Sequence, residues 1–390
     1  MLRNSAQSGE TQHGSRRTPS RRTRPPRTPP RRPPRTLRHL ARAAAAILLA
    51  TTLASCAGAT AAAPPPAPTT PTAAAPPPAP ATPTPTPALL TEPGQIGPIY
   101  AALASARTTI DMTMYELEDP TAEGALAAAA RRGVKVRVLL DGGYYGSGAP
   151  ANAGASAYLR AHNVQVRSSP SYFALTHQKT ITVDHRRSLI MTLNLTAQYY
   201  VNTRDFAIED VRPADVQAIE SVFEADWTRH RIIPPAGAGD LVWSPGAESA
   251  LVGLIDHART SLDVENEEMA DQPVIAALCR ASKRGVRVRV VMTYASKWAQ
   301  PLASLAGCGA QVHLFHGETP LYIHAKEIVA DGSRAYVGSE NFSYTSLERN
   351  RELGVITTSR PVLGSLESTF TSDFSAARAA ARAAARRAGP

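Results

Sequence analysis

The sequence predicts an α/β fold built from two duplicated α/β/α sandwich repeats with mixed, mostly parallel sheets. Three observations predict it: a segment written twice, β-branched runs alternating with Ala-rich helical stretches, and a glycine closing the same helix in each copy. Ala106-Arg107-Thr108-Thr109-Ile110-Asp111 recurs as Ala258-Arg259-Thr260-Ser261-Leu262-Asp263, 152 residues later. Arg132-Gly133-Val134 recurs as Arg284-Gly285-Val286 at the same offset. His177-x-Lys179 matches His324-x-Lys326, and Phe223-x-x-Asp226 matches Phe370-x-x-Asp373, both 147 residues apart. The drop from 152 to 147 is a loop shortened in the second copy.

Each copy gives the same order of elements. A short strand (109–115; 261–267) precedes an Ala-rich helix (121–132; 273–284). Gly133 and Gly285 follow those helices, where a left-handed backbone suits glycine. A β-branched strand comes next (134–140; 286–292), then a further helix-and-strand unit, so right-handed crossovers and parallel pairing are expected. Residues 179–183 and 326–330 are again rich in β-branched residues and predict strands. Asp184-His185 and Asp331-Gly332 supply turn chemistry before a returning strand (188–193; 334–338), a hairpin. A long amphipathic helix ends each copy (214–229; 361–376).

The first ninety residues are of another kind. Residues 1–42 contain twelve Arg and one acid, Glu10, interleaved with Pro. The apolar run 43–53 is too short to span a bilayer and suits a signal-peptide core. Leu53-Ala54-Ser55-Cys56 resembles the lipobox of bacterial lipoproteins, which implies lipidation at Cys56; cleavage as an ordinary secretion signal is the alternative. Residues 57–91 are almost wholly Ala, Pro and Thr, a solvated tether. The expected organisation is therefore a signal peptide over 1–56, a tether over 57–91, repeats over 92–235 and 236–376, and an Arg/Ala-rich tail over 377–390. The expected location is extracytoplasmic, lipid-anchored or secreted.

The net charge of +10 is misleading, because residues 1–56 alone contribute +11. The body between tether and tail is acidic, which gives no nucleic-acid footprint. Cys279 and Cys308 either form a disulfide or remain free thiols. Metal-ligand spacings such as Cys-x2-Cys are absent from the sequence.

The chemistry lies in two copies of His-x-Lys-x4-Asp: His177, Lys179, Asp184 and His324, Lys326, Asp331. An Asn follows each His by 17 residues (Asn194, Asn341), and a carboxylate by 28 (Asp205, Glu352). An imidazole serves as nucleophile or as proton donor near neutral pH. On a strand, a Lys two residues on shares its face. Asp184 and Asp331, at the strand ends, suit the turn better than the substrate.

These residues resemble the phospholipase D superfamily, over roughly residues 94–376. The resemblance implies that both repeats pack around one shared active-site cleft, with a phosphohistidine intermediate and with no cofactor or metal. It implies His177 as nucleophile and His324 as general acid, which the residues alone leave equivalent. Asn194, Asn341, Thr192 and Ser339 would contact phosphate, while Asp205 and Glu352 would orient a His. Two departures stand out. Met191-Thr192-Leu193 replaces the usual Gly-Ser-x before Asn194, and Asp205 replaces Glu, so a looser hold on His177 is expected.

Glu116 and Glu268 sit at equivalent strand ends and either line the cleft or cap helices. Tyr144-Tyr145 and Trp298 sit in corresponding loops, for packing or for substrate. His162, His185, His230, His257, His313 and His316 have no repeat-matched partners and are expected to be structural. The expected activity is a phospholipase D that hydrolyses glycerophospholipids to phosphatidate and a head-group alcohol, acting as a monomer. The alternatives are a secreted endonuclease, a phosphatidyl-transferase of the cardiolipin synthase kind, and a non-catalytic surface protein.

Overall fold

A computed structural model describes residues 88–142 and 152–387. The expected signal segment, Cys56, most of the expected tether and Tyr144-Tyr145 lie outside the described residues. The first repeat opens with β1 (Ala88–Glu92), α1 (Gly97–Ser105), β2 (Thr109–Met114), β3 (Leu117–Glu118), α2 (Pro120–Arg131) and β4 (Lys135–Leu140). It continues with α3 (Ala153–Ala161), β5 (Gln165–Ser168), β6 (Thr180–Val183), β7 (Arg187–Met191), β8 (Leu195–Thr196), β9 (Thr203–Asp210) and α4 (Pro213–Thr228). The second opens with β10 (Leu241–Ser244), α5 (Ala247–His257), β11 (Ser261–Glu265), α6 (Gln272–Lys283) and β12 (Arg287–Thr293). It continues with α7 (Ala299–Gly307), β13 (Gln311–Phe315), β14 (Tyr322–Ile323), β15 (Glu327–Ala330) and β16 (Arg334–Gly338). It ends with α8 (Tyr344–Glu348), β17 (Glu352–Thr357) and α9 (Arg360–Arg387).

The two sheets share one topology. The first runs β1-β9-β7-β6-β2-β4-β5 and the second β10-β17-β16-β15-β11-β12-β13. Along these two paths, parallel pairing falls in β2-β4-β5 and in β11-β12-β13, the strands joined by helices. The other pairings in each path are antiparallel, because the motif strands arrive as hairpins. The sheets are therefore mixed, as expected, with a larger antiparallel share than strand–helix–strand alternation suggests. One boundary moves: residues 88–91, assigned to the tether, belong to β1 and pair with β9.

Local chemistry explains the elements. Asp119 and Asp271 occupy equivalent N-caps and accept from the first amides of α2 and α6. Gly133 and Gly285 follow at φ +90 and +88. Both hairpin turns hold two successive residues at positive φ, Asp184-His185 and Asp331-Gly332, as a tight two-residue hairpin turn requires. Each repeat has its own apolar core. A third core joins Ile190, Phe206 and Ile208 of the first repeat to Val337, Leu353 and Phe370 of the second. Cys279, on α6, is disulfide-bonded to Cys308 at the end of α7. Trp298 is 9% exposed and packs in the second repeat's core, so it serves packing rather than substrate.

Candidate active site

Each motif histidine sits three residues before a strand, β6 or β15, and is held by the opposite repeat. The His177 amide donates to the Arg351 carbonyl, and the His324 amide to the Arg204 carbonyl. β14, just before His324, pairs parallel with β9 of the first repeat. Thr176, just before His177, bridges in parallel to Arg351. The residue following each of those arginines is the carboxylate counted from the motifs. The carboxylates are consequently exchanged between repeats.

His177 Nδ1 lies 2.8 Å from Glu352 Oε2, and His324 Nδ1 lies 2.8 Å from Asp205 Oδ1. This corrects the expectation that Asp205 steadies His177 loosely: it steadies His324, at the same distance that Glu352 keeps from His177. Glu352 is fully buried, and Oε1 also accepts from Ser346 and Asn350. Burial pushes this carboxyl up, but His177, Lys179 and those donors outweigh it and hold it below the ordinary range. An ionised carboxylate only accepts, so Nδ1 of His177 carries the proton and Nε2 keeps a lone pair. Burial lowers the His177 pKa despite Glu352, which favours the neutral, nucleophilic imidazole. His324 is placed differently, with Glu267 Oε2 3.5 Å from its Nε2 in addition to Asp205 at Nδ1.

The two histidines line one cavity of about 630 Å³. Asn194, Asn341 and Asp205 line it as well. Lys179 and Lys326 stand a layer behind the wall, both fully buried. Lys179 Nζ donates to the His177 carbonyl at 2.7 Å and faces the Tyr115 ring. Lys326 Nζ donates to the His324 carbonyl and to Glu267 at 3.0 Å. Tyr115 and Glu267 occupy equivalent positions, so one Lys meets an aromatic face and the other a carboxylate. Sequence reasoning singled out Glu268 instead of Glu267, one residue off. Glu116 and Glu268 do both line the cavity, which answers that question for the cleft.

Four predicted residues act elsewhere. Asp184 accepts from the amides of Arg107, Thr108 and Thr109, and Asp331 from those of Arg259, Thr260 and Ser261. Both tie the hairpin turn to the start of the neighbouring strand, and neither lines the cavity. Thr192 and Ser339 are fully buried. Thr192 donates to Asp205, and Ser339 accepts from the Leu353 amide, so they brace the orienting strands rather than phosphate. Met191 sits in the first repeat's core and does not narrow the pocket. None of the six histidines taken as structural lines the cavity.

Outside the cavity, Asp111, His185 and Glu220 come together on the first repeat. Asp111 is already paired with Arg137 on both oxygens. The second repeat keeps that pair as Asp263 and Arg289, with Gly332 in place of the His. The acid therefore serves helix packing in both halves.

Comparisons with known proteins agree with this geometry. The family described as "Cardiolipin synthase, PLD-like domain" matches residues 99–227 and 251–374. The chain is 25% identical over 306 residues to cardiolipin synthase B of Escherichia coli K12, covering 66% of this chain and 72% of that protein. It is 30% identical over 130 residues to the rat 5'-3' exonuclease PLD3, covering 29% of this chain and 27% of that one. The phosphatidylserine synthase structure of Haemophilus influenzae superposes with a TM-score of 0.58 at 12% identity, covering 73% of this chain and 85% of that one, a likeness of fold. With two matched domains, one per repeat, and one histidine from each on a single cavity, the chain belongs to the phospholipase D superfamily of phosphodiesterase-type enzymes.

Proposed function

We propose that the protein is a phosphatidyl-transferase, moving a phosphatidyl group from a glycerophospholipid to an alcohol through a phosphohistidine on His177. In the first step Nε2 of His177 attacks phosphorus, and His324 gives a proton to the departing head-group oxygen. In the second, His324 takes the proton of the acceptor hydroxyl, which displaces His177 and closes the cycle. Lys326 supplies positive charge from behind the histidines, away from water, and Lys179 does so in its protonated form.

The observation that carries this reading is the wall of the cavity. Among the described residues it holds five carboxylates, Glu116, Asp205, Glu267, Glu268 and Glu318, and no Lys or Arg. Such a wall repels a polyanion such as DNA and accepts hydrogen bonds from the hydroxyls of a polyol. An alcohol held by those carboxylates competes with water for the phosphohistidine. The likeness to cardiolipin synthases supports transfer over the hydrolysis that the sequence favoured. An extracytoplasmic location with Cys56 lipidated fits the same reading and is supported by the disulfide.

The test is product analysis with phosphatidylglycerol vesicles, with and without added glycerol, for the wild type and His177→Ala. Transfer gives a bis-phosphatidyl lipid that added glycerol suppresses; the variant forms none. Phosphatidate as sole product restores hydrolysis, and plasmid cleavage without lipid turnover overturns the lipid reading altogether.

A further inference from the structure

Two lips that are equivalent in the duplication line the cavity and reach the protein surface. One lip is residues 197–203, after β8; the other is residues 343–349, containing α8. Ala197 corresponds to Tyr344 at the 147-residue offset, each three residues past the motif Asn. Tyr199, Tyr200 and Asn202 of the first lip line the cavity, as do Ser343, Thr345 and Ser346 of the second.

Both lips carry large apolar side chains turned to solvent. Tyr199 is 44% exposed, Val201 80% and Tyr344 62%. Val201 lies between two lining residues, and so does Tyr344. Single exposed apolar residues are ordinary on any surface. Three of them on the two lips of one mouth are a rim. The lips also stand in a particular relation. Each repeat orients the other's histidine, and the sheets share one strand order, so a pseudo-twofold axis relates the halves. An axis that exchanges His177 and His324 passes through the cavity between them. Equivalent segments of the two halves therefore flank the cavity.

We infer that these lips dock on the surface of a phospholipid bilayer, with Tyr199, Val201 and Tyr344 entering its interfacial layer. The inference rests on the lipid reading of the substrate. A protein seated on the lips would close the mouth, whereas a bilayer seated there is the source of the substrate. Tyr suits this depth, with an apolar ring and a polar hydroxyl. Among the described residues no helix is long and apolar enough to cross a membrane, so the body's own hold on a bilayer falls to surface side chains.

The test uses the full chain carrying Cys56→Ser, so that no lipid anchor masks the rim. Val201→Asp/Tyr344→Asp is compared with the parent, and with Ile233→Asp as a control at a 94% exposed residue away from the cavity. Sedimentation with phosphatidylglycerol vesicles is measured beside turnover of vesicles and of a short-chain phospholipid kept monomeric. The double variant is expected to lose about ten-fold or more in vesicle binding and vesicle turnover. Its turnover of the monomeric lipid stays within about two-fold, and Ile233→Asp matches the parent in everything. Equal vesicle binding by the double variant and the parent overturns the inference, as does equal loss on both substrates. A parent that binds vesicles without turning over either lipid leaves the docking surface and removes the transferase. A parent that turns over the monomeric lipid without sedimenting does the reverse.

Discussion

At the scale of one residue, Lys179 shows what the site costs the fold. Its ammonium is fully buried, and burial pulls its pKa down to about 7 against the attraction of Glu352. In the unfolded chain a Lys titrates near 10.4. Between those two values the unfolded state binds a proton that the folded state does not, so Lys179 makes stability rise with pH across that window. The slope approaches ~1.4 kcal/mol per pH unit and is lost as pH falls toward 7. Lys179→Met removes this group and no other titration. The unfolding free energy of the wild type is therefore expected to gain on that of the variant between pH 7 and 10, measured in urea at each pH. A pH-independent difference would refute the assignment. The same residue was legible in the sequence because its relation to His177 is local: two positions on in each copy of the motif, although both stand before β6 and Lys179 lies behind the cavity wall.

At the scale of elements, the two repeats solve one packing problem in two ways. In the second, Tyr336 on β16 is fully buried, and its hydroxyl donates to Glu340, also fully buried. A Cβ on Gly338 or Gly354 would run into Tyr336, so both glycines make the slot for that ring. In the first repeat the equivalent positions hold Leu189, Leu193, Met191 and Ala207, an apolar set of filled volume. The Met in place of Gly is the other half of that exchange. Gly354→Ala is expected to cost about 1–3 kcal/mol through overpacking. Adding Tyr336→Leu, Gly338→Met and Glu340→Leu copies the first repeat's set and is expected to return most of that loss in equilibrium unfolding. No recovery would show that strand geometry, not the ring, demands the glycine. Strands with dense β-branched patterns were legible; β1 was not, because five edge residues beside a Pro-rich run carry no alternation. Glu267 was missed for a related reason. Alignment of the copies sets it opposite Tyr115, so no repeated carboxylate marked it, whereas Glu116 and Glu268 matched by count.

At the scale of the whole molecule, neither repeat is complete. The sequence showed a carboxylate 28 residues after each histidine but not which histidine it serves, because that spacing recurs in both copies whether partners lie within a repeat or across repeats. Packing decides it through the residue before each carboxylate. Arg351 on the approach to β17 pairs with Asp226 on α4, at 2.8 and 3.2 Å. Arg204 on β9 pairs with Asp373 on α9, at 2.6 and 3.1 Å. Successive strand residues face opposite ways, so one strand sends its Arg to the other repeat's last helix and its carboxylate to the other repeat's His. The ion pair that locks the halves is thus one peptide from the contact that orients each catalytic imidazole. Arg351 and Asp226 are both about 4% exposed, and removing one partner of such a pair typically costs about 3–5 kcal/mol. Asp226→Asn is expected to show that loss and to lower kcat as well, because β17 carries Glu352. Asp226→Leu/Arg351→Met, which removes both charges, is expected to recover most of the stability. Chemical denaturation and kcat measured on the same preparations decide the matter. An Asp226→Asn variant with full stability and reduced kcat would mean that the pair tunes the site without joining the halves.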